Sequence, residues 1–225
     1  MKRVFLSFAA ILLLISPLYA SQGKQEDRIR ESTDVMKEIL NIPEGIPKDL
    51  LSKAECVVIV PSTKKAALGI GGEYGRGAIF CRIQDTWSPP VMVSLTGGSF
   101  GFQLGGTSTD VVLLIMNKKG VDKLLESKVT LGGDASAAAG PKGRTASAET
   151  DAQMRAEILS YARSRGLFAG VALDGAVLKP SGDDNEDLYG HRIDPKQVLL
   201  RGGNAPAVAI PLIDLLRAYP PAPSK

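Results

Sequence analysis

An α+β fold is what this sequence predicts, mainly antiparallel β, barrel-like or a sandwich, with N-terminal and C-terminal helices packed on it. Three observations carry the prediction. Val111 to Met116 is a six-residue apolar run rich in branched side chains, too short for an ordinary helix and suited to a strand buried on both faces. Just upstream, Phe100, Phe102 and Leu104 alternate with Gly101, Gln103 and Gly105, the period of two that a half-buried strand needs. Helical spacing marks both ends of the chain, at Ile29, Met36 and Leu40 and again from Ile210 to Tyr219.

In chain order, residues 1–20 have the form of a signal peptide. Lys2-Arg3 is a basic start, Val4 to Ile15 is an apolar stretch too short to span a bilayer comfortably, and Leu18-Tyr19-Ala20 offers a cleavage site before Ser21. An uncleaved anchor is the alternative. The mature chain, 21–225, reads as one domain. Gln25 to Leu40 is an amphipathic helix whose polar face mixes both signs, which suits docking on the core better than lying on an anionic membrane. Pro43 and Pro47 end it, and Pro47 opens a short helix through Leu51.

Cys56 to Val60 is a buried strand stopped by Pro61. Ala66 to Glu73 and Gly77 to Ile83 are two strands joined by a turn at Tyr74-Gly75-Arg76, and Val91 to Leu95 begins another. Gly97-Gly98 and Gly105-Gly106 mark turns, so that the residues up to Asn117 form a glycine-punctuated antiparallel pair. Gly120 to Leu125 is a short helix. Ala135 to Gly143 is a close-packed strand or a loop. Glu157 to Arg163 and Leu167 to Leu173 flank Ser164-Arg165-Gly166, with a hairpin favoured over a helix. Asp183 to Tyr189 is a polar loop entering a short helix, and Pro211 starts the C-terminal helix.

Several chemistries find no pattern here. The glycines do not give G-x-G-x-x-G between a strand and a helix, and no G-x-x-x-x-G-K-[ST] is present. His191 is the single histidine, so a Ser-His-Asp hydrolase would have to use it; it lies in a polar stretch and reads as a surface residue. Two Cys and one His do not complete a usual zinc site. Asp183 to Asp187 is acidic but lacks the alternating ligands and central Gly of a calcium loop, and reads as a solvated acidic turn. No cofactor is implied, and the chain reads as a non-enzyme. A formal net charge of +3 does not point to nucleic acid.

Export would place the two cysteines in an oxidising space, which predicts a Cys56–Cys81 disulfide; two buried thiols are the alternative. Basic residues are more suggestive. Lys64 and Lys65 sit in one expected turn and Arg76 in the next. Lys118 and Lys119 follow the central strand, and Arg144 flanks a glycine-rich loop. Gathered at one end of a sheet, they would form a cationic rim for phosphate headgroups.

Pro61-Ser62-Thr63-Lys64-Lys65, Gly71 to Gly77, Leu95 to Gln103, Thr109-Asp110 and Met116-Asn117 resemble the SYLF domain. So do Ala139-Gly140-Pro141, Gly143-Arg144, and Ile158 to Tyr161 leading to Ser164 to Gly170. The resemblance runs over about 29–189. It implies a lipid-binding module; eukaryotic members bind phosphoinositides and some regulate actin through accompanying domains, and bacterial members pair a signal peptide with a lone domain. For an exported chain it implies an anionic phospholipid or membrane surface as partner, at a periplasmic or extracellular, membrane-peripheral location, with actin an unlikely partner. A structural or protein-interaction module of the cell envelope, with an envelope protein as partner, is the alternative.

Overall fold

The computed structural model describes residues 2–126, 128–143, 155–164 and 167–221; within them, side chains are described at 22–64, 72–97 and from 108 onward. The order is α1 (Lys2–Asn41), α2 (Lys48–Lys53), β1 (Cys56–Ile83), β2 (Thr86–Trp87), β3 (Val91–Ile115), α3 (Lys118–Glu126), β4 (Val129–Thr130) and β5 (Ala137–Ala139). There follow β6 (Ile158–Ser164), β7 (Leu167–Gly170), β8 (Val177–Pro180), α4 (Gly182–Tyr189), α5 (Pro195–Arg201) and α6 (Ile210–Arg217). Among the described residues the strands form one curled, mostly antiparallel sheet, a half-barrel, with helices from both ends of the chain packed on it.

The sheet is built on a single long ribbon. β1 and β3 pair antiparallel from Cys56↔Ile115 to Ile79↔Val91, with irregularities between Val60 and Thr63 and between Ala67 and Gly69. The ribbon folds back on itself, so that the two ends of β1 meet. The Arg82 N–H donates to the Glu55 carbonyl at 2.7 Å, and Cys56 and Cys81 are joined by a disulfide with Cα atoms 4.0 Å apart. Gly77 shows why the return leg needs a residue without a side chain: a Cβ there would collide with the Ile59 carbonyl oxygen.

Period-two alternation then sorts the side chains into two cores. Val57, Ile59, Phe80, Met92, Val112 and Leu114 pack with Ile29, Met36 and Ile39 of α1 and with Leu212 and Leu216 of α6. Cys56, Val58, Val60, Val111, Leu113 and Ile115 face the other way, onto Val121 and Leu124 of α3, Leu178 of β8 and Leu199 of α5. Val111 to Ile115 is therefore buried on both faces, as its uniform apolar run predicts.

The expected breaks between strands are where the structure differs. β1 runs through Pro61 rather than stopping there, because Pro61 falls in the irregularity after Val60 where the ladder asks for no N–H donor. Tyr74, Gly75 and Arg76 are not a turn; they pair with Thr96, Leu95 and Ser94. Gly97-Gly98 and Gly105-Gly106 are likewise inside β3, opposite Glu73-Gly72 and Ala67-Ala66. Glycine reads locally as punctuation, but here it lies along a ribbon whose legs come close together. The expected face of Phe100, Phe102 and Leu104 lies outside the described side chains. Elsewhere the elements agree: β6 and β7 form the hairpin, and Ala137–Ala139 is a short strand parallel to β6.

Candidate functional site

The six basic residues expected to form one rim do not come together as one. Lys64 is exposed in mid-strand, opposite Ser108. Lys118 and Lys119 open α3, just beyond Ile115, which pairs with Cys56. Eight ladder positions separate these two places, on the order of 25 Å along the strand. Register sets this separation, and a turn expected at Lys64 and another at Arg76 conceal it. The Lys65 side chain and Arg144 lie outside the described residues.

Two of the six hold structural carboxylates. Arg76 Nη1 donates to Asp184 Oδ1 at 2.8 Å, and Gln25 Nε2 of α1 donates to the same oxygen at 2.8 Å. Ser181 Oγ donates to the other oxygen at 2.8 Å. Asp184 is 2% exposed, so the Asp183–Asp187 stretch is not a solvated turn; it is α4, and one of its carboxylates ties α1 to β1. Its neighbour Asn185 is also buried. The Asn185 side chain accepts from the Met92 N–H at 2.8 Å and donates to the Met92 carbonyl at 3.1 Å, an amide standing in for a strand neighbour of β3.

Glu157 is the second buried carboxylate. Lys119 lies 3.1 Å from one oxygen; Lys123 at 3.0 Å and the Ser136 N–H at 2.9 Å donate to the other. Burial pushes this carboxyl up, but Lys123, the Ser136 amide and Lys119 outweigh it and hold it at about 2. Sequence reasoning missed both carboxylates. A lone Glu before a strand and an Asp inside an acidic run carry no local signal of burial.

Lys64 and Lys118 differ from these. Both are exposed, and neither has an ion-pair partner among the described residues. Lys118 borders a cavity of about 200 Å³ beside the disulfide, with Glu55, Asp122 and Leu200. Near Lys64, a cleft of about 440 Å³ opens between α1 and the ribbon, lined in part by Glu31, Asp34, Ser62, Ser108, Asp110 and Arg163. Arg163 is taken up there by Asp110, at 2.7 Å, and by Glu38. His191 is exposed, its Nδ1 3.0 Å from the Tyr189 carbonyl.

A family model described as Ysc84, Las17-binding protein actin regulator, matches residues 96–219. The chain belongs to the Ysc84 (SYLF) family. It is 37% identical over 202 residues to an SH3 domain-containing protein of Schizosaccharomyces pombe, covering 88% of this chain and 47% of that one. It is 30% identical to Protein YSC84 of Saccharomyces cerevisiae, over 88% of this chain and 43% of that one. It is also 30% identical to the human SH3 domain-containing YSC84-like protein 1, over 88% and 58%. The chain thus spans somewhat under half the length of these yeast relatives. The family description is that of a binding and regulatory protein, and the expectation that actin is an unlikely partner finds no support in it.

Proposed function

We propose that this Ysc84-family chain is an exported, non-enzymatic module that binds anionic phospholipid headgroups at a membrane surface. The observation that carries the reading is Lys64. It is exposed on the ribbon, free of ion pairs among the described residues, and followed in the sequence by Lys65. A flexible ammonium that no carboxylate among the described residues holds is available to a phosphate. Lys118 has the same character at the far end of β3 and would act separately. Arg76 and Lys119, already committed to Asp184 and Glu157, contribute less.

The test is flotation with neutral vesicles and with vesicles containing phosphatidylserine. The expected result is binding that favours anionic vesicles, falls at high salt as surface attraction is screened, and drops several-fold in the double variant Lys64→Glu, Lys65→Glu. Unchanged binding by that variant removes these lysines from the site. Export is tested separately: fractionation should place the chain outside the cytoplasm, with Ser21 as its first residue.

A second reading is a protein-interaction module. It is favoured by the printed names of relatives, among them LAS seventeen-binding protein 3 of Saccharomyces cerevisiae. Capture of a defined protein partner with no vesicle binding would select it.

A further inference from the structure

We propose that residues 73–97 form an arm that two copies of this chain can exchange, and that the Cys56–Cys81 disulfide latches the arm onto its own chain. The arm is one leg of the folded ribbon: the second leg of β1, β2 and the first part of β3. Two strands join it to the rest of the molecule, 66–72 of β1 and 98–106 of β3. They pair with each other from Ala66↔Gly106 to Gly72↔Gly98, with an irregularity between Ala67 and Gly69. This neck is where the ribbon folds back. A Cβ on Gly75 would meet Val60 and Thr63, and one on Gly77 the Ile59 carbonyl, so the contacts between the legs are centred near Leu68. The irregularity falls at that centre, and a bulge is where a paired ribbon bends.

Straightening the neck keeps its strand pairs and gives up the docking of the arm. The partners that dock the arm lie outside both arm and neck. Arg76 Nη1 donates to Asp184 Oδ1 at 2.8 Å, and the Asn185 amide bonds the Met92 N–H and carbonyl. Val93 to Thr96 pair with Pro180 to Val177 of β8. Arg82 donates through Nη1 to the Tyr219 carbonyl and through Nη2 to that of Leu51, both at 3.2 Å. Phe80 and Met92 pack in the core that α1 and α6 cover. A second copy of the chain presents every one of these partners. Two straightened chains can therefore dock each other's arms without any new interface.

The noncovalent contacts are the same in either arrangement, so they do not choose between them. The disulfide does. It ties Cys81 on the arm to Cys56 on the body, beside the bond from the Arg82 N–H to the Glu55 carbonyl. Closed within one chain, it forbids exchange. Cys56 is 0% and Cys81 2% exposed, so cysteines at these positions on different chains meet only where an arm is docked.

The test refolds two full chains together from urea with oxidised glutathione, one carrying Cys56→Ala and the other Cys81→Ala. Neither can close a disulfide of its own. An exchanged arm sets Cys81 of the first chain against Cys56 of the second. The two thiols then pass two electrons and two protons to one glutathione disulfide, which leaves as two glutathiones. The expected result is a disulfide-linked heterodimer, several-fold more abundant than the linked homodimers that each variant gives alone. Folded monomer only, or linked homodimers in equal yield, overturns the exchange. Should either variant fail to refold, the wild type decides: refolded with oxidised glutathione at rising concentration, it should give a growing fraction of dimer joined between positions 56 and 81. Monomer at every concentration overturns the exchange. The latch is read separately. Oxidised wild-type monomer, concentrated and stored, should stay monomeric while the double variant Cys56→Ala, Cys81→Ala acquires a dimer fraction; equal behaviour overturns the latch.

Discussion

Glu157 shows how a single side chain couples this fold to pH. Its carboxyl is held at about 2, well below its ordinary range, by two lysines and an amide. A depressed acid favours the folded state at all pH above its unfolded value near 4.3, and that contribution fades as pH falls toward about 2. Glu157→Gln should therefore lower stability by about 2 kcal/mol at pH 7, the worth of hydrogen bonds to a charged group. Its denaturation midpoint should converge with that of the wild type near pH 2; a constant gap down to that pH would disprove the linkage. Asp184 makes a second residue-scale prediction. Asp184→Ala leaves Gln25 and Ser181 without their partner and Arg76 without its counter-ion, and should cost about 3 kcal/mol in urea unfolding. Arg76→Ala should cost less than that, because half of its guanidinium already faces water.

At the scale of the element, the folded ribbon is the decisive feature. The Cys56–Cys81 disulfide closes a loop whose ends are 25 residues apart in sequence. A loop of that length implies roughly 3 kcal/mol from the restriction of the unfolded chain. Cys56→Ala with Cys81→Ala should lower the unfolding free energy in urea by about that much, and reductant should then have no further effect. Gly77→Val tests the return leg directly. A side chain there meets the Ile59 carbonyl, so the variant should be destabilised more than the double cysteine variant or fail to fold. A Gly77→Val protein of ordinary stability would mean that the two legs do not lie as close as described.

The whole molecule holds two cores on opposite faces of one sheet, and the chain's two ends seal one of them. Ile29, Met36 and Ile39 from α1 meet Leu212, Ile213 and Leu216 from α6 over the same face. Leu216→Ala should cost about 3 kcal/mol and loosen the amide hydrogens of α1 as well as those of α6 in exchange experiments. Protection of α1 unchanged by that variant would argue that the two helices are independent. The near balance of formal charge, +3 over the whole chain, also belongs to this scale. A net charge that small gives only a weak long-range field around the molecule.

Periodicity and composition determined much of this fold. The both-face burial of Val111 to Ile115, the helices at each end, the β6–β7 hairpin and the family motifs are all local or near-local patterns, and alternation or helical spacing exposes them directly. The tertiary structure decided the rest. Pro61, the glycines at 97, 98, 105 and 106, and Tyr74 to Arg76 look like turns because local propensity cannot see the partner strand that keeps the chain extended. The same blindness hid the candidate site. Lys64 and Lys118 are alike in the sequence, and register put one in mid-strand and the other beyond the end of β3. Arg76 and Lys119 look like free surface cations until the fold sets Asp184 and Glu157 beside them. Burial of a carboxylate is a property of what packs over it, and here Asp184 on α4 finds partners on α1 and β1.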